Sequence, residues 1–276
     1  MPDSPAKPFK SLINQTIERL LQEGTIAALA TIIEAPEGVG AKLLIEESGK
    51  RTGGLSDPDL DRAVVSHVAQ FLESRETTRT FQVKEFASHL TRWSEVRILF
   101  ERIQPEPRIV ICGAGHVGAA LANLASLIGY QVTLIDDRAE FVLPERFPSE
   151  RIALVAAESW TEAVRNAIGN GRGVSVAVVT RGHNEDAECM NAVIPTDADY
   201  IGLIGSKRRT NIVLDRLRED GADEEKLKRV HAPIGLDIGA VSPEEVALSI
   251  LSEIVAERRG GEGGSLSAWR RNNRRN

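Results

Sequence analysis

The stretch Arg108-Ile-Val-Ile-Cys-Gly-Ala-Gly-His-Val-Gly118 places the tightest limit on what this chain can fold into. It reads as a short apolar strand running into Gly-x-Gly-x-x-Gly, and Gln131-Val-Thr-Leu-Ile-Asp136 reads as a second strand ending in a carboxylate. Between them Val117, Ala120, Leu121, Leu124, Ala125 and Ile128 recur at three and four residues, the spacing of one helical face. Strand, glycine turn, helix, strand, acid is the order of half a dinucleotide-binding α/β domain. Gly113 allows a tight turn off the strand, Gly115 removes a Cβ where a phosphate approaches, and Gly118 lets the helix pack close to the sheet. Backbone N–H groups at such a helix N-terminus favour an anion.

After residue 108 the alternation of strand and helix is regular. Strands are expected at 108–112, 131–136, 151–156, 174–180 and 199–204. Ser159-Trp-Thr-Glu162 and Ser242-Pro-Glu-Glu245 read as capping boxes that open helices. The fold class is therefore α/β: a C-terminal Rossmann-like, doubly wound parallel sheet, here bounded at 109–259. A smaller N-terminal α/β domain is expected over 1–103, joined by a stiff linker at 104–108 that holds Pro105 and Pro107. In that first domain, Phe9–Leu21 and Asp57–Glu73 carry helical patterns, with Asp57 as N-cap and Pro58 in the first turn. Thr25–Ile33, Ala41–Glu47 and Val96–Ile103 read as strands. The Gly-rich, then Arg-rich stretch 260–276 is expected to be a disordered, solvated tail.

Ligands of open α/β sheets bind outside the carboxyl ends of the strands. Four polar loops fall there: the glycine turn with His116 and Val117; Asp136-Asp-Arg138; Thr180-Arg-Gly-His183-Asn-Glu-Asp186; and Gly205-Ser206-Lys207-Arg208-Arg209, which opens a helix. In the last, the helix dipole and the side-chain cations act on the same anion. His116 and His183 sit in two neighbouring loops, and histidine is a residue type that can serve as acid, base or ligand. Asp136 follows Gly113 by 23 positions, near the spacing of about 20 for a ribose-binding acid. His231-Ala-Pro-Ile-Gly-Leu-Asp-Ile-Gly239 is a shaped loop with Asp237 as its one carboxylate, and it reads as a site wall.

Charge and composition remove several classes. A net charge of −6 spread over both signs argues against general nucleic-acid binding. No apolar run approaches the roughly 18 residues of a membrane span, and the first ten residues lack a signal-peptide core, so a cytoplasmic protein is expected. The two cysteines, Cys112 and Cys189, form no Cys-x-x-Cys, so neither a disulfide framework nor a cysteine zinc site is indicated. Metalloprotease, hydrolase-elbow, Walker and kinase motifs are absent, and no nucleophile has a local base, so no residue is assigned as catalytic.

Five ordered motifs carry a resemblance. They are Gly-Ala-Gly-His-Val-Gly at 113–118, Leu-Ile-Asp-Asp-Arg at 134–138, Thr-Arg-Gly-His at 180–183, Tyr-Ile-Gly-Leu-Ile-Gly-Ser-Lys-Arg-Arg at 200–209, and His-Ala-Pro-Ile-Gly-Leu-Asp-Ile-Gly-Ala at 231–240 followed by Ser-Pro-Glu-Glu. In these the chain resembles the XdhC/CoxI family, accessory proteins of xanthine dehydrogenase and related molybdenum hydroxylases. The resemblance implies binding and protection of molybdenum cofactor, support for its sulfuration, and delivery to an apo-hydroxylase. It further implies a NifS-like cysteine desulfurase and the hydroxylase as partners, and a homodimer. The glycine turn would hold the pterin phosphate, with His116, Asp136, Arg138, Thr180, His183, Lys207 and Arg208 shaping the pocket. Two alternatives stay open. One is an NAD(P)-dependent oxidoreductase, in which Asp136 bonds a ribose hydroxyl and His183 is the acid or base. The other is a nucleotide-binding regulatory module without chemistry.

Overall fold

A computed structural model describes residues 7–74, 76–169 and 171–267. The Arg-rich end of the expected tail, 268–276, lies outside the described residues. The chain divides into two compact units, Met1–Pro105 and Glu106–Asn276.

The first unit contains α1 (Lys7–Glu23), β1 (Ala27–Glu34), β2 (Lys42–Glu46), β3 (Arg51–Gly54), α2 (Pro58–Glu73), β4 (Thr78–Gln82), α3 (Val83–Phe86) and β5 (Arg97–Ile103). Its five strands form an antiparallel sheet in the order β3-β2-β1-β5-β4. β1 is central and buries both faces, as its alternation requires. Ala28, Ala30 and Ile32 share a core with Leu60, Val64, Val68 and Phe71 of α2, whose spacing of three and four makes one helical face. Ala27 and Leu29 pack on the other side with Ile13 and Leu20 of α1. Two strands have no forecast in the sequence. β3 and β4 are edge strands, and β3 shows exposed and half-exposed positions in alternation with no apolar face. Its Gly53 has φ +91°, and a Cβ there would come 2.3 Å from the Lys42 carbonyl oxygen, so glycine permits the close pairing of β3 with β2.

The second unit contains β6 (Arg108–Cys112), α4 (His116–Leu127), β7 (Gln131–Asp136), β8 (Ile152–Ala156), α5 (Trp160–Ile168), β9 (Val174–Val178), α6 (His183–Val193), β10 (Tyr200–Leu203), α7 (Lys207–Glu219), α8 (Glu224–Lys228) and α9 (Pro243–Arg259). The sheet is parallel in the order β10-β9-β6-β7-β8. The order in which strands are added therefore reverses beside β6, which has β7 on one side and β9 on the other. β6 alternates strictly: Ile109 and Ile111 enter a core with Leu121 and Ala125 of α4 and Ile250 and Ile254 of α9. Val110 and Cys112 enter the opposite core with Val164, Met190 and Leu217, from α5, α6 and α7. His231 adds an isolated parallel bridge to Gly202, extending the sheet beyond β10. No described helix is long and apolar enough to cross a membrane.

The entry to α2 is capped by Asp57, which accepts from the amides of Asp59 and Leu60, both at 2.9 Å. The Leu60 bond, foremost, holds this carboxyl below its ordinary 3.8. Asp57→Ala is expected to cost about 1 kcal/mol at neutral pH. Because the folded-state pKa is depressed, that contribution is present above the unfolded value and is lost as pH falls through the folded one. Thermal melts of wild type and variant should therefore converge in acid; a constant gap across the range contradicts a charged cap.

Candidate functional site

The site starts from a turn that only glycine permits. Gly113 has φ +113°, and a Cβ on it would lie 2.6 Å from the Val179 carbonyl oxygen. Its own N–H donates to the Ile135 carbonyl at 2.7 Å, so the turn crosses from β6 toward the end of β7. Gly118, one turn into α4, is tighter still: an added Cβ would sit 1.8 Å from the Gly113 carbonyl oxygen. Gly115 is the N-cap of α4 and is different in kind. Its φ of −66° suits any residue and no side chain caps the helix there. An added Cβ would meet nothing within 4 Å. The first intrahelical bond is Ala119 N–H to Gly115 O at 2.8 Å, which leaves the amides before it as orphan donors of the helix end.

These donors border a cleft of about 290 Å³ at the carboxyl ends of the strands. Gly113, Gly115, His116 and Val117 line one part, and Asp136 and Arg138 another. Val179, Thr180 and Arg181 after β9 complete it, together with Trp160, Ile204 and Pro243. Trp160 is 5% exposed, and its buried indole N–H has no hydrogen-bond acceptor. An orphan buried donor beside a cleft is uncommon and suits a ligand that supplies an acceptor.

The acid at the end of β7 is buried, 1% exposed. Asp136 Oδ2 accepts from Ala114 N at 2.7 Å and Arg138 Nη2 at 3.0 Å. Its Oδ1 accepts from Arg138 N at 3.0 Å and Nε at 2.8 Å. Asp136 thus ties the glycine turn to Arg138, whose guanidinium also lies 3.6 Å above the Phe141 ring centre. Next to it, Arg181 donates to both oxygens of Asp137 at 2.7 and 2.8 Å and pairs with Glu185 at 3.2 Å. The Arg181 hydrogen bonds hold the Asp137 carboxyl below the usual carboxylate range. Two guanidinium groups therefore border the same cleft as the helix N-terminus, each oriented by its own carboxylate.

Of the expected site residues, Gly113, Gly115, His116, Val117, Asp136, Arg138 and Thr180 come together at this cleft. Gly118 lies beneath it as a packing residue. His183, Gly205, Ser206, Lys207, Arg208 and Asp237 do not line it. The reason is local for the Gly205 loop. Ser206 turns its hydroxyl onto its own helix, accepting from Arg209 N at 3.3 Å. Arg209 turns to Asp186, with Nη2 at 2.6 Å and Nε at 3.2 Å, leaving Lys207 and Arg208 exposed. Asp186 is fully buried, 0% exposed, and also accepts from the Thr180 hydroxyl at 2.5 Å. Burial pushes its pKa up despite both partners. The 231–239 loop does not form a wall directly. It is held by Glu253 of α9, which accepts from Gly235 N at 2.8 Å and from the Tyr200 hydroxyl and faces His231 Nδ1 at 3.6 Å. That fixes the approach of α9, whose first residue Pro243 does line the cleft. Sequence reasoning gave no site role to Trp160, Arg181 or Pro243.

A cleft at the strand-order reversal of a parallel sheet, bordered by a glycine turn and two arginines, defines a Rossmann-type domain. Residues 109–254 match a family model described as the XdhC Rossmann domain, and residues 20–83 match one described as the XdhC and CoxI family. The chain belongs to the XdhC/CoxI family. It is 30% identical over 256 residues to the uncharacterized protein YqeB of Escherichia coli (strain K12), covering 90% of this chain and 46% of that one. It is 30% identical over 172 residues to a probable xanthine dehydrogenase component of Bacillus subtilis (strain 168), covering 62% and 49%. To the molybdenum cofactor insertion chaperone PaoD of Escherichia coli it is 24% identical over 155 residues, covering 56% and 41%. The chain thus spans about half the length of these curated relatives. A solved xanthine dehydrogenase from Bacillus halodurans shares the fold, with a TM-score of 0.51 at 18% identity, covering 92% of this chain and 98% of that one.

Two contrasts test this geometry. Gly118→Ala is expected to cost roughly 1–3 kcal/mol or more by overpacking against the Gly113 carbonyl, whereas Gly115→Ala should cost less than about 1 kcal/mol. Equal losses in denaturant titrations contradict the assignment of the two glycines. Arg209→Ala strands a buried carboxylate and is expected to cost about 3–5 kcal/mol at neutral pH. An acid with a raised folded-state pKa weakens the fold as pH rises above its unfolded value. The variant's deficit should therefore shrink in acid, and a deficit that grows there contradicts the role given to Asp186.

Proposed function

We propose that this chain binds molybdenum cofactor by its pterin phosphate and holds it for a xanthine dehydrogenase-type molybdenum hydroxylase. The observation that carries this reading is the uncapped N-terminus of α4, whose free amides open on the cleft between Arg138 and Arg181. A phosphomonoester is the anion such a helix end favours, and guanidinium groups add bidentate donors. The open space at Gly115 leaves room for phosphate oxygens, and the orphan Trp160 N–H suits an acceptor on the pterin. The names of the relatives, a xanthine dehydrogenase component and a cofactor insertion chaperone, point the same way.

In this reading the protein performs no covalent step. Its residues bind, orient and shield a labile ligand that is the cargo. Cys112 and Cys189 are both buried, and a hydrogen bond to Cys112, followed by burial, pushes the Cys189 thiol far above its usual range. A buried thiol held protonated is a poor sulfur carrier. Sulfuration of the bound cofactor then requires a separate donor, a NifS-like cysteine desulfurase, and delivery requires contact with the apo-hydroxylase. A cytoplasmic homodimer goes with this reading.

The test is mass spectrometry of small molecules released from the natively purified full chain, with molybdenum analysis alongside. The expected result is a pterin phosphate with molybdenum in near-equal amounts, and its loss in Gly115→Val, which fills the open space at the helix end without a backbone clash. A wild-type protein from cofactor-producing cells that carries no pterin contradicts the reading.

A further inference from the structure

We propose that the cleft selects a phosphomonoester over a dinucleotide, because two arginines occupy the carboxylates that an adenosine ribose would need. This rests on the reading above and narrows its ligand class. A dinucleotide in a Rossmann cleft spans the strand-order reversal and bonds its ribose hydroxyls to the acid that ends the second strand. Here that position carries two acids, Asp136 and Asp137, and each is engaged by an arginine. An ionised carboxylate offers about four lone-pair sites. In Asp136 the four are taken by Ala114 N, Arg138 N, Arg138 Nε and Arg138 Nη2, at 2.7 to 3.0 Å. Asp137 is held by the fork of Arg181.

Arg138 is fixed from its other face as well, by the Phe141 ring 3.6 Å below its guanidinium carbon. An incoming ribose diol would have to break a bidentate, charge-assisted contact that the ring stacking helps to hold. The cleft volume of about 290 Å³ lies at the lower edge of the range of about 300–1,000 Å³ for small-molecule pockets. It suits a compact fused-ring head with one phosphate rather than two nucleosides. The arginines thus invert the usual logic of the position: the acid organises a cation for the phosphate instead of recognising a sugar.

The experiment is isothermal titration of the full chain with two probes, NAD⁺ and a pterin monophosphate, in wild type, Arg138→Ala and Arg181→Ala. Wild type is expected to bind the pterin monophosphate and to bind NAD⁺ at least about tenfold more weakly. Freeing Asp136 in Arg138→Ala should raise NAD⁺ affinity by about tenfold or more. Arg181 is exposed, so Arg181→Ala supplies a second, well-tolerated release, of Asp137, with the same direction. Wild-type NAD⁺ affinity equal to that for the pterin monophosphate overturns the inference. So does the absence of any NAD⁺ gain in both folded variants. If wild type binds neither probe, the molybdenum cofactor reading fails, while the NAD⁺ gain in the variants still decides the selection mechanism.

Discussion

The close approach of the Gly113 carbonyl oxygen to Gly118 fixes the site. With an added Cβ only 1.8 Å from that oxygen, no side chain fits at Gly118, so α4 starts directly at the end of β6. This proximity brings the free amides of the helix end to the point where β6 meets β7 and β9. Asp136 then locks the turn from the β7 side by accepting the Ala114 N–H. The same carboxylate sets the direction of Arg138, so backbone donors and a guanidinium are arranged by a single buried charge. A charge 1% exposed is tolerable only because its four acceptor positions are filled.

A second set of interactions works at a distance. Glu253 on α9 gathers Tyr200 of β10, Gly235 and His231, and the adjacent Glu253 carboxylate pushes the His231 pKa up. Through this contact the 231–240 segment is stapled to both the sheet edge and α9. Helix α9 shares a core with α4, so the staple positions Pro243 at the cleft without the loop entering it. Asp186 plays a parallel part on the other side, joining Thr180 to Arg209 and so coupling the β9 loop to α7.

How legible this was in the sequence depended on burial and range. The five parallel strands were forecast within two residues at each end, because they are short, mostly apolar runs bounded by glycine and polar loops. The antiparallel edge strands β3 and β4 were not, because their stability comes from backbone pairing to β2 and β5 and leaves no apolar face to read. The glycine turn was legible since its chemistry is local. Arg181 was not, since its orienting partner Asp137 is 44 positions away in the chain. The run Lys207-Arg208-Arg209 announced an anion site by composition, but buried Asp186 turns Arg209 inward, and only the tertiary fold shows which cation of the run is drawn in. Trp160 was read as part of a helix cap; the orphan state of its indole N–H depends on which residues pack around it.

The most direct measurement is amide chemical-shift mapping of the labelled protein during titration with a pterin monophosphate. The account predicts that the largest shifts fall on the amides of Gly115, His116, Val117 and Gly118, with the Trp160 indole N–H moving alongside. Saturable binding that leaves those amides unmoved, or shifts confined to the Gly205 loop, would contradict it.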